Sequence, residues 1–259
     1  MSGAGAVVAL VLLEWTTGWL AVAAWTQSWA VIRRGHFRIT AWATLILGGL
    51  AAVAYRSIEV GGIQSRAVLA TVVAIALYVA VQYSRTDVPG AVMGAAAGTG
   101  GALALIGSAG LIAAWPQPMA ALQLLAGAAL LGAVSNGMML GHWYLNQPGL
   151  QTWALARLTL LCLVATGASG VVGVLGAGRL TGASTAGAAF GLPGAGDSFG
   201  LAFFLVWAVL LGFTGVVVWA ARRCVAIRSI QSATGLYYVA ILTAGVSEFV
   251  VRYLMVNAA

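Results

Sequence analysis

Long apolar segments separated by short polar ones run along the whole chain. The apolar segments are mostly about 18 residues or longer, which is enough for an α-helix to cross a bilayer. The clearest interruptions are RRGHFR at 33–38, PQP at 116–118, NQPG at 146–149 and RRCVAIRS at 222–229. The pattern predicts about eight transmembrane helices, at approximately 5–32, 39–55, 66–84, 97–115, 119–143, 152–176, 199–221 and 233–256.

Two connections are longer than the others. The first, SRTDVPGAVMG at 84–94, is predicted to be a modest loop. The second, at 177–198, is rich in Gly, Ala, Ser and Thr and is too polar and too interrupted to span a membrane. We expect either a flexible loop or a folded-over flap there. No composition shift marks a domain boundary, so the sequence predicts a single transmembrane helical domain over residues 1–259.

The composition supports this interpretation. Hydrophobic residues make up 62% of the chain and charged residues 7%, whereas soluble domains carry about 25% charged residues. The net charge of +7 comes from twelve basic residues, all of them arginine. They fall mainly between the apolar segments, which is not the basic patch of a nucleic-acid-binding protein. We therefore expect an all-α integral membrane protein whose main partner is the lipid bilayer.

The distribution of arginines between the loops predicts an orientation. Cytoplasmic loops of membrane proteins are enriched in basic residues. The loops that follow odd-numbered helices carry seven arginines, at 33, 34, 38, 85, 222, 223 and 228, and the other loops carry three, at 56, 66 and 179. The first set is predicted to be cytoplasmic. Both termini and the 177–198 loop would then lie outside.

Three charged residues fall inside predicted helices. Glu14 lies in the first helix, and Glu248 and Arg252 lie in the last. A charge at the bilayer centre costs about 2.5–3.5 kcal/mol on insertion scales, so such residues normally face a partner or a cavity. Glu248 and Arg252 are four residues apart and share a helix face. They either neutralise each other and fix the helix in the bundle, or, together with Glu14, line a pocket for quinone or a proton route.

A second polar cluster is predicted at the cytoplasmic end of the fifth helix. It contains Asn136, His142 and Tyr144, and Arg157 in the sixth helix begins near the same face. Aromatic residues at this depth are typical of the membrane interface, which alone accounts for part of the cluster. His142 is a candidate proton relay, a candidate hydrogen-bond donor to quinone, or an ordinary interfacial histidine.

The sequence contains little that predicts a bound metal or catalysis. Haem b would need two histidines, and the chain has two, His36 and His142. His36 belongs to the arginine-rich segment RRGHFR and is expected outside the helix, which disfavours haem. The cysteines have no metal-binding spacing and the carboxylates are far apart in the sequence, so we expect no metal site. No catalytic triad or carboxylate pair is recognisable, and we expect no catalysis by this chain alone.

The two end helices resemble a known class of membrane subunit. The segment GLYYVAILTAGVSEFVVRYLM is similar to the closing helix of membrane anchor subunits of the polysulfide reductase and dimethyl sulfoxide reductase type. Those helices often carry a glutamate, an arginine four residues later, then an aromatic residue and leucine, as do Glu248, Arg252, Tyr253 and Leu254. The segment LEWTTGW is loosely similar to their opening helix. The resemblance covers about fifty residues.

The resemblance implies a helical subunit without a covalent cofactor that exchanges electrons and protons with quinol. It also implies partner subunits that carry iron–sulfur and catalytic centres. The residues that it assigns to a quinone pocket are Glu14, Glu248 and Arg252. Our leading hypothesis is therefore a membrane subunit of a respiratory electron-transfer complex in the bacterial inner membrane.

Two other hypotheses stay open. The first is a transporter of a small solute or proton, motivated by the same buried charges and by glycine-broken helices. The second is a structural or assembly subunit without chemistry of its own, which would need only small-residue packing and aromatic belts.

Overall fold

The structure, a computed structural model, describes residues 1, 3–58, 60–84, 86–113, 115–147, 149–182 and 196–257, the side chains of 196–198 excepted. The regular structure of these residues is entirely α-helical. Eight of the described helices are long and apolar enough to span a membrane, which confirms the predicted fold class. The helices are α1 Gly3–Gln27, α2 Arg34–Ser57, α3 Gly62–Val81, α4 Val88–Ala109, α5 Gln117–Trp143, α6 Trp153–Leu175, α7 Ala177–Leu180, α8 Gly196–Ala226 and α9 Ile230–Asn257.

The predicted loop at 84–94 is wrong, because α4 begins at Val88 and contains most of that segment. Pro89 occupies the first turn of α4, where its fixed φ suits a helix and its missing N–H costs nothing. Proline is therefore a helix start here rather than a turn signal. α1 ends earlier than predicted, at Gln27, and Ala30 just beyond it has a left-handed φ of 56° that a helix cannot continue through.

The predicted loop at 177–198 is tested only at its ends. Residues Ala177–Leu180 form the short helix α7, and α8 already begins at Gly196, so both ends of the segment are helical rather than loop. Residues 183–195 lie outside the described part of the chain.

Consecutive spanning helices are neighbours, and two of them form the centre of the bundle. α1 packs against α2, α4, α5 and α9, while α5 packs against α1, α4, α6 and α9. In the most apolar 18-residue stretch of each helix, 78% of the residues of α1 and 72% of those of α5 are buried, compared with 28% of those of α8. An even number of crossings places the start of α1 and the end of α9 at one face of the bundle, which we call the terminal face.

The central pair is held together by glycine. A methyl group on Gly18 of α1 would overlap the carbonyl of Ala128 in α5, and one on Gly132 would overlap the backbone of Gly18. Such small residues let membrane helices approach until their backbones touch, which maximises dispersion contacts. The crossing at Gly18 fixes the depth of Glu14, which lies one helical turn earlier in α1.

The outer surface of the bundle is apolar. Large hydrophobic side chains such as Ile46, Val53, Val209 and Leu242 are more than 60% exposed. Soluble proteins do not expose apolar area on this scale, whereas lipid-facing helices do. The chain is therefore an integral membrane protein, as the composition predicted.

Candidate functional site

The three charged residues singled out in the sequence meet inside the bundle. The Nε of Arg252 donates to Oε1 of Glu14 at 2.6 Å, and its Nη2 donates to Oε2 of Glu248 at 2.8 Å. Nη2 also donates to the backbone carbonyl of Gln123 at 2.6 Å. None of the three charged side chains is more than 1% exposed. We call Glu14, Glu248 and Arg252 the ion cluster.

Three helices build the ion cluster. The spacing of four residues in α9 places Glu248 beside Arg252, and α1 supplies Glu14 from the other side. α5 supplies the Gln123 carbonyl and, one turn later, the space in front of Gly127. A methyl group there would overlap both Arg252 Nη2 and Glu248 Oε2. The sequence did not single out Gln123 or Gly127, and the amide side chain of Gln123 is used elsewhere, where it donates to the Val172 carbonyl at 2.8 Å.

The ion cluster contains two carboxyl groups and one guanidinium. With both carboxyl groups ionised its net charge is −1, and a single proton makes it neutral. Oε2 of Glu14 is buried and has no hydrogen-bond partner among the described residues. An uncompensated buried charge is costly, so the ion cluster is an arrangement that favours taking up one proton.

An apolar groove begins about one turn further along α1 than Glu14, and none of the three ion-cluster residues lines it. Its volume is about 330 Å³, and its walls come from α1, α4, α5 and α6, including Gly98, Ala102, Leu125 and Leu161. Thr17 also lines it. The hydroxyl of Thr17 is buried and has no partner among the residues that the structure describes. The groove thus combines apolar walls with a buried hydroxyl that has no partner among the described residues.

The residues of the second polar cluster predicted from the sequence do not share one environment in the structure. Asn136 is fully buried, where its Nδ2 donates to Thr26 Oγ1 at 3.1 Å and its Oδ1 lies 3.2 Å from His36 Nε2. His142, by contrast, is exposed. The expectation that His36 lies outside a helix is wrong, because α2 begins at Arg34 and His36 is fully buried in its first turn.

Tyr144 ties the end of α5 to the start of α6, whereas Arg157 contacts aromatic rings near the start of α6. The Tyr144 hydroxyl donates to the Gln151 carbonyl at 2.7 Å and accepts from the Leu155 N–H at 3.3 Å. Burial raises the pKa of Tyr144 to about 12. The Arg157 guanidinium stacks on Trp153, 4.5 Å from the ring centre. The structure therefore brings Glu14, Glu248 and Arg252 together but does not bring Asn136, His142, Tyr144 and Arg157 into one site.

His36, one of the two histidines of the sequence, is held inside the bundle. The Nε2 of His36 is engaged with Asn136, and its ring lies edge-on to Trp143 with 6.0 Å between centres. The described residues contain no group of three or more His, Cys, Asp or Glu placed to hold a metal ion.

Comparisons with protein-family models, with curated proteins and with solved structures give no match to this chain. The class that the fold defines is an integral membrane protein with eight candidate spanning helices. The ion cluster and the groove are its candidate functional features.

Proposed function

We propose that the chain is the membrane-embedded subunit of a respiratory electron-transfer complex and binds quinone or quinol beside the ion cluster. The observation that carries the proposal is the ratio of two carboxyl groups to one guanidinium at 0–1% exposure. A purely structural ion pair needs one carboxylate. The second carboxylate gives the cluster a place for a proton at membrane depth, where ionisable groups are commonly functional.

In this proposal the quinone ring binds in the apolar groove. Ligand sites are typically apolar clefts of about 300–1,000 Å³ with a few oriented polar groups, and the groove of about 330 Å³ fits the lower end of that range. A quinone carbonyl would accept a hydrogen bond from the Thr17 hydroxyl, which lacks a partner among the described residues. The isoprenoid tail would leave the groove towards the lipid past Trp25, which is 41% exposed.

In the proposed reaction, oxidation of one quinol to quinone releases two electrons and two protons. The ionised cluster takes up one proton at a time at Glu14 Oε2, so the two protons leave through it in succession. The two electrons pass to redox centres in partner subunits, which the resemblance of the end helices also implies. We propose that both termini lie outside, because the arginines are distributed unequally between the loops. The bacterial inner membrane is proposed only from the resemblance of the end helices.

The proposal is tested by purifying the full chain with its native partners in mild detergent and measuring bound quinone and quinol oxidation. We expect Glu14→Gln to lower the rate of quinol oxidation at least tenfold, because the amide cannot accept a proton. Ser247→Ala is the matched control, since it removes a buried polar group next to Glu248 that forms no described hydrogen bond. An absence of quinone, with wild-type turnover in Glu14→Gln and Glu248→Gln, would contradict the proposal.

The contacts of Arg252 also favour a second function, a structural one. The hydrogen bonds of Arg252 connect α9 to α1 and α5 and so tie three helices together. That geometry supports a structural or assembly subunit without chemistry of its own. In that case Glu14→Gln lowers the yield of the assembled complex and leaves the specific activity of the remaining complex unchanged.

A further inference from the structure

A second cavity lies at the terminal face, between the end of α2 and the start of α3. Its volume is about 360 Å³. Neither helix contributes a residue to the ion cluster. Its lining is polar on one part and apolar on the other, and consists of Ala52, Tyr55, Arg56, Ile58, Val60, Ser65, Arg66 and Leu69.

The inner wall of this cavity is fixed by hydrogen bonds. Tyr55 is fully buried, and its hydroxyl lies 2.7 Å from Ser108 Oγ of α4. Gln64 of α3 donates from Nε2 to the same Ser108 Oγ and to the Ala104 carbonyl, both at 2.6 Å. These bonds join α2, α3 and α4 and determine where the backbones of Arg56 and Arg66 lie.

The cavity carries positive charge that the described residues leave largely unpaired. No described hydrogen bond or ion pair involves the Arg56 side chain. Arg66 uses only its Nε, which donates to the Gly62 carbonyl at 3.0 Å. The first turn of α3 has no side-chain cap, so its N–H groups add to the positive potential. Glu59 lies between the two arginines in sequence and outside the described residues.

Along α2 and α3 the charged residues of the cavity lie nearer the membrane surface and its apolar residues lie deeper, as the headgroup and the acyl chains of a lipid do. Ala52 lies one turn deeper in the membrane than Arg56, and Leu69 lies one turn deeper than Arg66. The guanidinium groups are therefore at the level of lipid headgroups and the apolar residues at the level of acyl chains. Leu69 is 53% exposed and open to such a chain.

We propose that this cavity is a binding site for a net-anionic membrane phospholipid. The phosphate lies between Arg56 and Arg66, because guanidinium groups bind phosphate oxygens in a bidentate manner. One acyl chain follows the apolar wall formed by Ala52 and Leu69. The proposed lipid site shares no residue with the ion cluster or with the groove.

The test compares lipid binding by the purified full chain in nanodiscs of phosphatidylcholine, with and without phosphatidylglycerol. Native mass spectrometry measures retained phosphatidylglycerol, and thermal unfolding measures stabilisation. A charge-assisted hydrogen bond to phosphate is worth at least about tenfold in affinity, so loss of both guanidinium contacts lowers retention of phosphatidylglycerol at least about tenfold. We expect this loss in the double variant Arg56→Gln with Arg66→Gln. The corresponding double lysine variant keeps the charge and retains most of the binding.

The control is the double variant Arg222→Gln with Arg223→Gln, which removes two exposed arginines at the opposite face. We expect it to retain phosphatidylglycerol like the wild type. Equal loss in both glutamine variants, or no loss in the variant of Arg56 and Arg66, would overturn the proposal. Stabilisation of the wild type in phosphatidylcholine by inorganic phosphate alone, to the same extent as by phosphatidylglycerol, would also overturn it, because the site would then bind a free anion.

Discussion

Replacing Arg252 with methionine tests whether the ion cluster is charged and essential for the packing of α1, α5 and α9. Methionine has a similar length, so the change removes the guanidinium with little loss of volume. The substitution eliminates the hydrogen bonds to Glu14, Glu248 and the Gln123 carbonyl. Removing one partner of a buried charge cluster typically costs about 3–5 kcal/mol, because the remaining charge is left uncompensated. Protonation of the carboxyl groups limits the loss, so we expect about 3 kcal/mol.

The size of the effect is checked by reversible unfolding of the full chain in mixed micelles, with helix content as the signal. The informative comparison is a triple variant, Glu14→Gln with Glu248→Gln and Arg252→Met, in which no charge is left in the cluster. Replacing a whole buried ion cluster by neutral groups is often close to neutral in stability. We therefore expect the triple variant to recover most of the stability that Arg252→Met loses. Ser247→Ala serves as the control for a neighbouring change in α9.

A loss below about 1 kcal/mol for Arg252→Met would refute the reasoning, because the remaining carboxyl groups would then be satisfied without the guanidinium. Failure of the triple variant to recover any stability would contradict it in another way. The hydrogen-bond geometry, rather than the charge balance, would then dominate the energy of the site.

Three further predictions concern single residues. Gly127→Ala is expected to destabilise the fold by about 1–3 kcal/mol in the same assay, because its methyl group overlaps Glu248 Oε2 and overpacks a fixed site; Gly212→Ala, in open space, is the control. Asn136→Ala leaves the buried His36 Nε2 without its partner and should cost about 1–3 kcal/mol in unfolding experiments; an unchanged stability would contradict that contact. Because folding raises the pKa of Tyr144 to about 12, the folded state retains its proton longer, so stability should fall as the pH rises from about 10 to 12. Tyr144→Phe should remove that part of the decrease, and an identical alkaline profile in the variant would be evidence against it.

The sequence was most informative about charged residues, because placing a charge inside the membrane costs free energy. Charges are rare in this chain, so Glu14, Glu248 and Arg252 were conspicuous in apolar segments, and the spacing of four placed two of them on one face. The structure brings these three together. The number and type of helices were equally accessible, because runs of apolar residues of membrane length have few alternative explanations.

Other features of the structure have no comparable signal in the sequence. The contact of Arg252 with the Gln123 carbonyl and the close approach of the ion cluster to Gly127 depend on the backbone and on the crossing of helices, which a pattern of side chains does not specify. The start of α4 at Val88 was missed because glycine and proline indicate turns in water but are common in membrane helices. His36 was misplaced because its arginine neighbours suggested a loop, whereas they begin the helix at the membrane surface.

The pairing of Glu14 with Arg252 joins residues that are 238 positions apart along the chain. During synthesis α1 enters the bilayer well before α9 leaves the ribosome, so the acidic side chain must wait in lipid without its counter-ion. A nascent chain that stalls before the final helix therefore keeps an unmatched acid in its central helix. The ion cluster therefore forms only once α9, the last of the described helices, has joined the bundle.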